Sequence, residues 1–94
     1  MNYSNYECTK HLYDRMNQRG ISDDLIDIVL EYGESHFHDG GEVTRLSKQT
    51  VKRLRKSPRF NNQLLDKASK VYVVEDSGTL ITSGIQYKKF KRDA

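Results

Sequence analysis

Apolar residues in the first third of the chain recur at helical spacing, and those of the last third alternate or cluster as in strands. Cys8, Leu12 and Met16 form an apolar stripe that predicts a first helix over about residues 9–19. Thr9 can cap that helix, and Gly20 can end it. Ser22 is the expected cap of a second helix, with Asp23 and Asp24 suited to its positive end. Leu25, Ile26, Val29, Leu30 and Tyr32 give that helix a wide apolar face, and Gly33 stops it. Ser35 to His38 run into Gly40-Gly41, and Glu42 to Leu46 return as a hairpin. Ser47 opens a basic helix through Lys56, with Val51 and Leu54 as its narrow apolar contact and Pro58 just beyond its end. Residues 61–68 predict a further helical turn or two, with Leu64 and Leu65 inward. Val71 to Val74 read as the strongest strand; Asp76-Ser77-Gly78 turn it, and Thr79 to Ile85 return antiparallel. The order is helix, helix, hairpin, helix, hairpin. It predicts an α+β domain: two N-terminal helices packed on a small antiparallel sheet, with an additional basic helix.

At 94 residues the chain has room for a single domain, expected to span residues 1–94. Mean hydropathy is low, −0.84, yet the apolar residues are periodic, which argues against disorder. One cysteine, Cys8, excludes an internal disulfide and fits a reducing, cytoplasmic location. The polar opening does not read as a secretion signal, and no apolar run approaches membrane-spanning length.

Charge is divided unevenly along the chain. Residues 1–47 carry four Lys/Arg against nine Asp/Glu, net −5, whereas residues 48–94 carry twelve against four, net +8. This asymmetry points the second half toward a polyanion or an acidic protein partner. Lys48, Lys52, Arg53, Arg55, Lys56 and the tail residues Lys88 and Lys89 would track phosphates, joined by Lys10. Tyr72 and Tyr87 are candidates for base stacking, with hairpin packing as the plain alternative.

His11, Arg15 and Arg19 are spaced four apart on the first helix and fall within one stripe beside its apolar face. Two guanidiniums can hold phosphate oxygens and stabilise charge building on phosphorus. An imidazole can give and take a proton near neutral pH. Cleavage by an RNA 2′-hydroxyl needs only such groups and no metal or other cofactor. The alternative is a solvated row in which the arginines pair with acids such as Asp14 or Asp23. A helix-turn-helix DNA reader is excluded, because its second helix would present Asp23, Asp24, Asp27, Glu31 and Glu34 to phosphates. His36 and His38 share a strand face, but no zinc spacing pattern supplies the remaining ligands.

Thr9-Lys10-His11-Leu12-Tyr13-Asp14-Arg15-Met16-Asn17-Gln18-Arg19-Gly20-Ile21-Ser22 resembles the opening of a bacterial and phage family with the pattern His-x-x-x-Arg-x-x-x-Arg-Gly-Ile. That family is grouped with the RelE/ParE-like toxins. Val71 to Val74 followed by Gly78-Thr79-Leu80-Ile81-Thr82 is similar to its final hairpin, so the resemblance runs from about Tyr6 to Ile85. It implies a RelE-like fold and a site of His11, Arg15 and Arg19, with Thr82 on the facing strand as a fourth member. It also implies a metal-independent endoribonuclease, the toxin of a type II toxin–antitoxin system, with RNA and an antitoxin carrying an acidic segment as partners. The competing expectation is a non-catalytic basic protein that binds or blocks a nucleic-acid enzyme.

Overall fold

The computed structural model describes residues 6–38 and 40–86. Four helices, α1 (Lys10–Arg19), α2 (Asp23–Tyr32), α3 (Lys48–Arg55) and α4 (Asn62–Ala68), accompany five strands. The strands are β1 (Glu7–Cys8), β2 (Glu34–His38), β3 (Gly41–Arg45), β4 (Val71–Asp76) and β5 (Thr79–Ile85). They form one sheet in the order β1-β5-β4-β3-β2. The expectation of a purely antiparallel sheet is corrected here, because β1 lies parallel to β5 and the sheet is mixed. Two residues are too short to carry a readable period; β1 exists because the edge of β5 offers it main-chain partners.

Three helix starts follow their side chains. Thr9 accepts from the Leu12 N–H at 3.1 Å and donates its hydroxyl to the Ile81 carbonyl at 2.8 Å, so one residue caps α1 and ties it to β5. Ser47 caps α3 by accepting from the Thr50 N–H, and Asn61 caps α4 by accepting from the Leu64 N–H. Ser22 holds the cap position of α2 with extended backbone, but its side chain makes no capping hydrogen bond. That start rests on Asp23 and Asp24 in the first turn and on burial of Leu25, Ile26, Ile28 and Val29.

Leu12, Met16, Ile21, Leu25, Ile26, Ile28, Val29, Leu46, Val51, Ala68, Val71, Val73 and Leu80 form one buried cluster, which gathers all four helices on the same side of the sheet. The register explains which strand residues join it. Ser35, Thr44, Val73 and Ser83 lie in one cross-strand row on the helix side, and Thr44, Val73 and Ser83 are buried. The next row, His36, Val43, Val74 and Thr82, points to the opposite, open face. Along β5 both Leu80 and Ser83 are buried, an odd separation that strict alternation forbids. A bulge resolves it: Val74 pairs with Thr82 and Glu75 with Leu80, leaving Ile81 as the extra residue. Ser77 and Gly78, both left-handed, close the β4–β5 hairpin as a two-residue turn matched to strand twist.

Candidate functional site

The α1 row is placed as helical spacing demands. His11 and Arg19 are exposed and Arg15 is half-buried. Arg15 Nε donates to His11 Nε2 at 3.4 Å. Lys10, not an arginine, takes Asp14, at 3.7 Å. From His11 to Arg19 the row covers about 12 Å of helix axis, so one phosphate cannot touch both ends.

Arg19 faces a different set of residues. It lines a shallow open cleft of about 370 Å³ with Gln63, Asp66, Lys67, Lys70 and Ile85. Lys67 Nζ donates to the Gly20 carbonyl at 2.7 Å, bracing the end of α1 against α4. Gly20 itself is left-handed, and its N–H bonds the Met16 carbonyl, which turns the chain away just past Arg19. Lys67 and Lys70 are not among the cations that the sequence alone singles out; Lys67 lies on α4 and Lys70 just past its end.

The cleft opens beside a cationic layer. In α3 Thr50, Val51 and Leu54 are buried while Lys48, Lys52, Arg53, Arg55 and Lys56 are exposed. Arg55 is held by Asp66, with a further contact to Asn62 at 3.4 Å, and this joins α3 to α4. Arg59 lies over the Phe60 ring at 5.5 Å and reaches the Tyr32 hydroxyl at 3.4 Å. Phe60 and Tyr32 meet edge to face, so the connection between α3 and α4 is anchored on α2.

Thr82 is not brought to the α1 row. The bulge at Ile81 keeps Ser83 on the helix side and turns Thr82 to the open face, beside Val74. Tyr72 and Arg45 share that face, and the Tyr72 ring lies across Gly84, where an added Cβ would meet the phenol ring. Tyr72 is therefore half-buried by hairpin packing. His36 and His38 sit exposed on β2. Among the described residues no three His, Cys, Asp or Glu side chains are grouped to hold a metal ion. Lys88, Lys89, Tyr87 and Asp39 lie outside the described residues.

These features define a class: a small α+β domain with four helices on one face of a five-stranded mixed sheet and a cationic layer on its α3–α4 side. No protein-family model, curated protein or solved structure matches the chain. Among the described residues no helix is long and apolar enough to cross a membrane.

Proposed function

We propose that this domain binds RNA through the cationic surface of α3, α4 and the end of α1. One observation carries the reading. Residues 48–70 hold eight Lys/Arg against a single acid, Asp66, and all eight are exposed. Only Arg55 among them makes an ion pair with a described residue. Such a surface matches a phosphate backbone and binds it without reading sequence. The cleft of Arg19, Lys67 and Lys70 is where one phosphate would be held by several cations. Fluorescence anisotropy with a single-stranded RNA tests this. The expected result is binding that weakens when Lys52, Arg53 and Lys56 become alanine and again when Lys67 does; affinity indifferent to both changes would overturn it.

The Arg15–His11 contact favours a second reading, that the bound strand is cut. In that mechanism the 2′-hydroxyl attacks the adjacent phosphorus, His11 accepts or delivers the proton, and the 5′-oxygen leaves with a 2′,3′-cyclic phosphate behind. Arg15 offsets charge on the phosphoryl oxygens. Arg19 serves as a phosphate contact further along the strand, and Thr82, on the other sheet face, takes no part. The resemblance of residues 9–22 to RelE/ParE-like toxins supports this version, with an acidic antitoxin segment covering the same cations. Cleavage of RNA in EDTA that disappears in His11→Ala and Arg15→Ala, with RNA binding retained, would establish it. Intact RNA under all conditions leaves the binding reading alone.

A further inference from the structure

The edge opposite β1 carries a separate feature. Among the described residues β2 is a terminal strand of the sheet, and all five of its residues are exposed. Phe37 is 80% exposed, well beyond Tyr13 at 48%, and it lies on the helix side of the sheet, where α1 rests on β5 and α2 on β3 and β4. An open strand edge with an uncovered aromatic is a template for another strand.

The register says which main-chain groups are on offer. His38 pairs with Gly41 across a two-residue connection, the arrangement in which the flanking residues exchange hydrogen bonds. Alternation then points the groups of His36 and Glu34 inward, to Val43 and Arg45. The N–H and C=O groups of Ser35 and Phe37 point out of the sheet.

We infer that the chain forms a two-fold dimer in which β2 pairs antiparallel with β2 of a second copy, centred on His36. The sequence Glu34-Ser35-His36-Phe37-His38 complements itself in that register. Ser35 of each copy meets Phe37 of the other, so the outward groups of both residues are satisfied. On the open face Glu34 of each copy stands opposite His38 of the other, a carboxylate against an imidazole, on both sides of a central His36 pair. On the helix side the two Phe37 rings become diagonal neighbours at about 7–8 Å, close enough for aromatic side chains to cover each other. A second copy is the occupant because the acid–imidazole arrangement is reciprocal: the strand supplies both halves of each pair, as a two-fold interface requires. The dimer doubles the five-stranded sheet.

Light scattering across a concentration series reads the result directly. Wild type should approach twice the 11.0 kDa chain mass as concentration rises. Phe37→Pro removes an outward N–H that the monomer does not use; proline is tolerated on such an edge, so the fold persists by circular dichroism while the dimer is lost. The register has its own test, independent of proline. Glu34→Lys places Lys against His38, and His38→Glu places Glu against Glu34, so each alone should weaken dimerisation by on the order of tenfold. An equimolar mixture of these two variants restores complementarity in every pair and should recover the dimer. Because Glu34 also stands opposite Arg45 on β3, circular dichroism accompanies the mass measurement. Wild type that stays monomeric at every concentration, or a mixture no more dimeric than its components, would overturn the inference.

Discussion

Thr9 is the residue on which local and long-range structure meet. Its hydroxyl receives the Leu12 N–H of its own helix and donates to the carbonyl of Ile81, the extra residue of the β5 bulge. Thr9→Val keeps the shape and removes both bonds, so the cap is lost and the Ile81 carbonyl loses its donor. We expect a loss of about 2 kcal/mol in urea unfolding, with Thr9→Ser close to wild type. Gly33 makes a different demand. Its φ of −78° is open to any residue, so its place at the end of α2 does not come from backbone freedom. A Cβ there would run into the Val29 carbonyl and come within 2.8 Å of the Thr44 Cγ2. Gly33→Ala should therefore destabilise by about 1–3 kcal/mol although the new side chain is small and apolar, a loss visible as a lower urea midpoint.

At the scale of the element, α3 separates its apolar and charged residues by side. Val51 and Leu54, together with the Ser47 cap, hold it in place, and its charged residues face away from the core. Replacing Lys52, Arg53 and Lys56 with alanine should leave stability within about 0.5 kcal/mol of wild type, because exposed helix positions contribute little. The same variant should bind single-stranded RNA more weakly at fixed salt. An unfolding midpoint that moved with the affinity would mean that the charges serve the fold instead. Ser47→Ala should reverse the pattern, costing about 1 kcal/mol of stability while leaving the charge count of the surface intact.

For the whole molecule the segregation of charge is the governing fact. The acidic residues Asp23, Asp24, Asp27, Glu31 and Glu34 belong to α2 and the start of β2, whereas residues 48–70 carry eight Lys/Arg against the single acid Asp66. An RNA strand drawn to the second region releases counterions, so log affinity should fall linearly with log salt, by about 0.7 per phosphate engaged on a single strand. Lys67→Ala should reduce that slope by about one contact. Affinity that ignored salt would place recognition elsewhere than on these cations.

The elements were readable because their causes are local. A period near 3.6 over residues 10–19 and 23–32, caps at Thr9 and Ser47, and the turn at Ser77-Gly78 are each set by neighbours in the chain, so the α+β class and the two hairpins followed from the sequence alone. The exposed basic face of α3 followed for the same reason. What tertiary structure decided lies between distant residues. β1 is a strand only because β5 lies alongside it, and one bulged residue, Ile81, sets the direction of Thr82, so a threonine that the family resemblance grouped with His11 faces the other side of the sheet. The meeting of Arg19 with Lys67 and Lys70 across some fifty positions likewise depends on how α4 packs against the end of α1. A hydrophobic period states which side of an element is buried. It does not state which other element buries it, and that choice brings cations together or keeps them apart.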